Sequence, residues 1–295
     1  MKGPLKALAR ALATLTGVWF LVEMIPRWLP EDPARVAAGE WATETEVASL
    51  RQVLGLDLPW AKSLSKSAWE LFHGHLGQSL RFRRPVAVIL GDGFPISLRL
   101  ALLALVGSAI LAWALALWRS PKARVLEAVA IASPVYVLGP LLLWGIAQYV
   151  PGLPVSGIRG WAAWILPTFA LAVPLAGHQA RLLSTQLETL REHYGIRGWR
   201  AAGIPVTLRW RKWLLPGVAG PWLTVLGLQL GGLLGGAVLV ETIFAIPGLG
   251  QTLVSGLNSR DLPLVKGAVL LGASLYVSTQ LLVEWFQALL DPRLR

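Results

Sequence analysis

No cysteine occurs among the 295 residues, which excludes a disulfide scaffold and any zinc site built on thiolates. Charge is scarce as well. Asp, Glu, Lys and Arg make up 15% of the chain, against about 25% in soluble domains. No Gly-x-x-x-x-Gly-Lys-[Ser/Thr] run is present to cradle nucleotide phosphates, and neither Gly-x-Ser-x-Gly nor His-Glu-x-x-His occurs. Paired catalytic residues are missing from the apolar runs, which disfavours an intramembrane enzyme.

What the chain has in quantity is apolar. Hydrophobic residues make up 55%, Trp outnumbers Tyr by 15 to 4, and mean hydropathy is +0.57. A helix needs roughly 20 apolar residues to cross the hydrocarbon of a bilayer. Four uncharged runs meet that length: Leu100–Trp118, Ala128–Val150, Gly160–Ala180 and Trp213–Val240. A fifth, Gly267–Val283, continues apolar past Glu284. The first, Ala11–Val22, spans only if Lys6 and Arg10 snorkel at one end and Glu23 sits at the other. No small-x-small cleavage site follows it, so an uncleaved helix is expected there and the count is six.

The net charge of +11 invites a polyanion partner, but its distribution argues otherwise. With a cytoplasmic N-terminus, the inner segments 1–10, 119–124, 181–212 and 291–295 carry 15 Lys/Arg. The short outer loops carry Arg159, Arg260 and Lys266. Positive-inside therefore predicts both termini in the cytoplasm and no nucleic-acid partner. Residues 27–93 form the one sizeable segment outside the membrane, with eight basic and eight acidic residues. Within it, Thr43 and Glu46 form a capping box, Val47, Leu50 and Leu54 share a face, and Gly55 suits a stop. A second amphipathic helix is predicted over Pro59–Phe72, with Trp60, Leu64, Ala68 and Leu71 on one stripe. The segment is expected to cap the outer mouth.

His73 and His75 lie two apart with no further ligand nearby, and read as surface histidines; His178 reads as an interfacial one. In the fifth span Gly227, Gly231 and Gly235 recur every four residues, with Gly232 and Gly236 in the same spacing. Such a ladder admits a close neighbour, either within the subunit or along a pathway. Gln229 is the strongly polar side chain of that run and needs a partner or water. Glu241 ends the run, and a helix-end ion pair is favoured there over a gate. The loop 182–212 is basic, with a short helix predicted through Arg197–Ala202 and stopped by Gly203 and Pro205.

Leu226–Gly250, followed by Arg260-Asp-Leu-Pro-Leu-Val265 and Ala288–Arg295, resembles the membrane subunits of binding-protein-dependent ABC importers. The dipeptide/oligopeptide/nickel branch is the most similar. Leu29-Pro-Glu-Asp-Pro33, Leu54-Gly-Leu-Asp57 and Leu76-Gly-Gln-Ser-Leu80 resemble that branch's first outer segment. The family's ATPase-docking pattern is Glu-Ala-Ala, three residues, Gly, nine residues, Ile-x-Leu-Pro. Here Arg197, Gly198 and Trp199 stand in place of Glu-Ala-Ala, Arg200, Ala201 and Ala202 follow, Gly203 matches, and Leu215-Pro216 fall at the family's spacing.

The resemblance implies an all-α membrane protein of the type I importer kind, with six transmembrane helices and a small helical extracytoplasmic segment between the first two. Its organisation would be a first helix within 1–26, the outer segment 27–93, and a five-helix core over 94–295. The implied partners are a second homologous permease subunit, two cytosolic ATPases that hold the ATP and Mg, an extracytoplasmic solute-binding protein and the bilayer. No cofactor is expected in this chain. The alternative is a non-transporting membrane anchor or assembly protein.

Overall fold

In a computed structural model of the chain the described residues are 2–28, 30–39, 41–118, 120–150, 154, 156–192, 198–199 and 201–290. Helix α1 (Lys2–Trp28) is followed by three short helices, α2 (Pro33–Ala38), α3 (Glu44–Val53) and α4 (Trp60–Phe72). The bundle continues with α5 (Val86–Leu117), α6 (Pro121–Ala132), α7 (Val135–Tyr149) and α8 (Ile165–Glu192). After the basic loop come α9 (Val206–Arg209), α10 (Leu215–Gly236), α11 (Val238–Ile243), α12 (Leu249–Asn258) and α13 (Leu262–Leu290). Among the described residues five helices are long and apolar enough to cross a membrane, or six if α6 and α7 count as one broken span.

That broken span departs from the straight helix expected over Ala128–Val150. The axis turns by 104° between α6 and α7. Pro134 has no N–H and its ring pushes the preceding residue out of the helical region, so Ser133 sits at φ −90, ψ 99. The fifth span also differs, beginning at Val206 rather than Trp213. Pro216 cannot bond back to Lys212, and the chain just before it widens into a π-turn in which the Leu215 N–H reaches Trp210 O.

Lipid is as apolar as leucine, so helices in a bilayer associate by close packing more than by hydrophobic burial. The α5–α8 pair shows this: Ala101, Ala104 and Ala112 on one helix and Ala170, Ala176 and Ala180 on the other are all buried. Leu100, Leu171, Phe244 and Ile246 fill the core around Ala101, Ala104 and Ala170, and Leu183, Leu187 and Val218 that around Ala112, Ala176 and Ala180. Helix α1 runs along α13 and is tied to it at both ends, by Arg10 with Glu284 at 3.0 Å and by Glu23 with Lys266 at 2.9 Å. The first pair is exposed and contributes little; the second is largely covered and fixes the register of the two helices.

The segment between α1 and α5 follows its local signals. Thr43 and Glu46 form the capping box of α3, Val47 is buried, and Gly55 takes φ +67 just past the helix. Arg51 pairs with Asp32 and Arg35 with Glu44, binding α2 to α3. On α4 the expected stripe is only partly covered: Leu64 and Ala68 are half-buried, whereas Trp60 and Leu71 near its ends are exposed.

Candidate docking loop and midline polar ladder

At one end of the bundle lies the basic loop 182–212, the candidate docking loop. Gly198, Trp199 and Ala201 are helical, Ala202 N–H bonds Gly198 O at 2.9 Å, and Ile204 N–H bonds Trp199 O at 3.0 Å. Gly203 takes φ +72, a left-handed stop that any Cβ would strain. The left-handed Gly203 is where the sequence predicts a stop, and Gly198, Trp199 and Ala201 are helical; Arg197 and Arg200, which belong to the predicted helix, lie outside the described residues. The Trp199 ring meets Trp213 edge to face at 5.5 Å. Leu214 is buried against Leu183 and Leu187 of α8. The loop helix is therefore coupled through one aromatic contact to the lead-in of α10, next to Leu215 and Pro216.

Within the bundle a chain of polar side chains, centred on the buried Gln179, joins three helices. Gln179 on α8 donates to Gln229 Oε1 at 2.6 Å and to Ser108 Oγ of α5 at 2.9 Å. Its own Oε1 accepts from Trp222 Nε1 at 3.0 Å, and Gln229 donates on to Leu175 O at 3.3 Å. Gln229 therefore has the partner it needs. Gln179, which the sequence flags only as a neighbour of His178, is fully buried and is the hub.

The glycine ladder faces α13. A Cβ at Gly227 would overlap Val283, and one at Gly231 would stand 3.3 Å from the Tyr276 ring, whereas Gly232 opens on empty space. Gly235 is within α10. Gly227 and Gly231 thus pack one helix on another inside the subunit.

Beyond α10, Glu241 corrects its own expectation. No ion pair holds it among the described residues. Its Oε2 accepts from the backbone N–H groups of Gly250 at 2.7 Å and Gln251 at 3.1 Å, and its Oε1 from Ser97 Oγ at 2.6 Å. Ser97 Oγ in turn accepts from Leu249 N–H at 2.8 Å. Carboxylate and hydroxyl together satisfy the orphan N–H groups that open α12, with the anion at the positive end of the helix. Glycine at 248 is required by that approach, since a Cβ there would meet Glu241 and Ser97. A cavity of about 400 Å³ lies against this turn, lined by Thr14, Val18, Glu241, Leu253 and Tyr276 among others.

Two sequence stretches far apart also meet. Asp261 is buried; it accepts from Ser79 Oγ at 2.5 Å, from Arg81 N–H at 3.1 Å and from Leu264 N–H at 3.2 Å. It caps α13 and anchors the loop ahead of α5. His73 and His75 are exposed, and among the described residues no cluster of three or more His, Asp or Glu could hold a metal ion. Nothing in this set is a nucleophile poised beside a base. It is a set of joints.

Residues 104–295 match the family model described as binding-protein-dependent transport system inner membrane component. The chain belongs to that permease family. Curated relatives cover almost all of it. A probable peptide ABC transporter permease protein of Sinorhizobium fredii is 32% identical over 99% of this chain and 98% of its own. A probable D,D-dipeptide transport system permease protein of Escherichia coli is 35% identical over 95% and 93%. A glutathione transport system permease protein of Salmonella paratyphi A is 33% identical over 99% and 98%. Among solved structures, a crystal structure of an amino acid ABC transporter with histidines superposes at TM-score 0.53 and 19% identity, covering 70% of this chain and 94% of that one. That likeness speaks to the fold.

The permease is thus the inner-membrane, multi-pass subunit of a binding-protein-dependent ABC importer, and ATP hydrolysis belongs to a separate subunit. The loop 182–212, the amides Gln179 and Gln229, Glu241 and Asp261 all fall in the family-matched region. Ser97 and Ser79, which those last two residues grip, precede it. A lone serine in an apolar helix and an Asp just before Leu-Pro were the available signals for Ser97 and Asp261.

Proposed function

We propose that this permease moves peptides, working with a second homologous permease subunit, two cytosolic ATPases and an extracytoplasmic solute-binding protein. The observation that carries the substrate class is that near-full-length relatives at 32–35% identity bear peptide, D,D-dipeptide and glutathione transport names. In this reading both termini face the cytoplasm, the loop 182–212 receives the ATPases, and the segment 27–93 faces the solute-binding protein. Closure of the ATPases on ATP pushes the short helix at 197–203. Trp199 passes that push to Trp213 and so to α10, whose Gln229 is bonded to α8. The α8–α10 pair then rocks and alternates access to a midline cavity.

The test is a complex reconstituted with its binding protein. Dipeptides or tripeptides carried by that protein are expected to raise ATP hydrolysis, and nickel or oligosaccharides are not. The variant Gly203→Pro, which cannot adopt the left-handed φ of that stop, is expected to abolish the stimulation while the complex still assembles. Stimulation that persists unchanged in that variant sinks the docking assignment. Stimulation by a non-peptide ligand alone sinks the substrate class.

A further inference from the structure

Helix α4 is held at a definite depth. The connector ahead of it is bonded near the end of α1, where Arg27 donates to Gly55 O at 3.2 Å and Leu58 O at 3.3 Å. Nine residues after Leu58, Ser67 donates to Glu23 Oε1 at 2.7 Å and accepts from Trp19 Nε1 at 3.3 Å. The helix therefore runs back along α1, from Arg27 toward Trp19. Glu23 and its partner Lys266 are the residues that flank the apolar runs 11–22 and 267–283. The middle of α4 thus lies level with the hydrocarbon boundary of two spans.

The face that α4 turns away from α1 has a matching polarity. At a helical period, Lys62, Ser65, Lys66, Trp69 and Phe72 share one stripe. All five are exposed, Trp69 at 68% and Phe72 at 89%. The lysines come first, on the turns nearer Arg27, and the aromatics last, on the turns at and beyond Ser67. The order is that of a helix descending into an interface, with ammonium groups at headgroup level and rings at the acyl boundary. Helices α2 and α3 and their connectors, by contrast, carry Glu31, Asp32, Glu44, Glu46 and Asp57. Helix α4 carries Lys62 and Lys66 against the single Glu70, whose carboxylate lies 3.8 Å from Lys66, whereas α2 and α3 with their connectors are net acidic.

We propose that α4 is an interfacial helix: Trp69 and Phe72 insert in the bilayer beside the Trp19–Glu23 stretch of α1, and Lys62 and Lys66, nearer Trp28, engage anionic phospholipid headgroups. A bilayer occupant satisfies both the depth and the charge order of this face. A docked protein would explain the exposed rings but not their level beside Glu23 and Lys266.

This chain has no cysteine, so single-cysteine variants of it can be spin-labelled as the purified subunit and then assembled into the full complex. The labels go at Trp69→Cys and Phe72→Cys, with Ser49→Cys on α3 as the aqueous reference, in vesicles of phosphatidylethanolamine and phosphatidylglycerol. Collision with oxygen relative to a water-soluble nickel chelate is expected to be several-fold higher at 69 and 72 than at 49, with or without the binding protein. In the same vesicles Lys62→Glu with Lys66→Glu is expected to lower that ratio at 69. Equal ratios at all three positions overturn the proposal. Shielding of 69 and 72 that appears only when binding protein is added also overturns it, and marks a protein-docking face instead. An unchanged ratio in the double Lys variant overturns the headgroup contact. The readout does not depend on transport or on the substrate.

Discussion

Ser79 and Asp261 are 182 residues apart in sequence and share a hydrogen bond of 2.5 Å, so one carboxylate both starts α13 and fastens the loop that leads into α5. The remaining bonds of that carboxylate, to Arg81 N–H and Leu264 N–H, make it the acceptor for two separate pieces of backbone.

Asp261→Ala removes a helix cap, which typically costs about 1 kcal/mol, and strands the Ser79 hydroxyl and the Arg81 amide. Each buried group left unpaired costs about 1–3 kcal/mol. A loss of at least about 3 kcal/mol is expected, read as a lower midpoint in thermal unfolding of the purified permease. Ser79→Ala removes one bond from the same acceptor and is expected to cost less. Equal stability of Asp261→Ala and the parent chain would contradict this account.

The amide pair of Gln179 and Gln229 lends itself to a double-mutant cycle. Gln179→Leu leaves Trp222 Nε1–H and Gln229 without their partner, and Gln229→Leu leaves Gln179 short of one acceptor. Hydrogen bonds between membrane helices average about 0.6 kcal/mol, up to about 1.7. The coupling energy between the two variants is expected in that range, with the double variant less destabilised than the sum. Strict additivity in the unfolding free energies would show that the pair does not interact.

Substitutions along the glycine ladder should differ sharply by position. At Gly227 a Cβ collides with Val283, a β-branched side chain with little rotamer freedom in a helix, so Gly227→Ala is expected to cost about 1–3 kcal/mol. At Gly232 nothing stands within 4 Å, and Gly232→Ala gains helix propensity of about 1 kcal/mol at most. Fluorescence-detected size-exclusion melting separates the two. A ladder whose members respond alike would not be the α10–α13 contact.

Acid should loosen α3 in a predictable direction. The backbone and side chain of Thr43 donate to Glu46 and hold its carboxyl below its usual value of 4.5. A group depressed on folding stabilises the folded form fully above its unfolded pKa and loses that contribution as pH falls through the folded one. Amide protection in α3 is therefore expected to hold above pH 4.5 and to fall below it. Glu46→Gln is expected to flatten that dependence, as hydrogen exchange across an acid series would show.

Local grammar was readable and distant pairing was not. The Thr43–Glu46 box, Gly55 and the Gly203 stop are decided by residues within a turn of each other, so sequence alone places them. Gln229 announces only that it lacks a partner; that partner sits 50 residues earlier on a different helix. Glu241 suggested an ion pair because a charge at the end of an apolar run usually seeks one. Its actual partners are backbone amides nine and ten residues on, which carry no sequence signature. Pro134 was visible, yet the uncharged run around it is long enough for one span, and length alone does not register a kink.

That kink bears on how the chain enters the bilayer in the first place. At 1.5 Å per residue, the 12 residues of α6 and the 15 of α7 reach about 18 and 22 Å, each short of the roughly 30 Å of hydrocarbon. Just ahead of the break, at Ala130 and Ile131, α8 packs so closely that a Cβ at Gly177 would stand 2.8 Å from the Ile131 nitrogen. Neither half is long enough to span alone, so the pair is expected to become a stable membrane element only after the following helix has been made and can be laid against it. A cysteine placed at Ser156 is expected to stay shielded from a membrane-impermeant maleimide in chains truncated before Ile165. In chains that run past Ala180 it is expected to react, and the order of insertion would then run backwards from the order of sequence at this one joint.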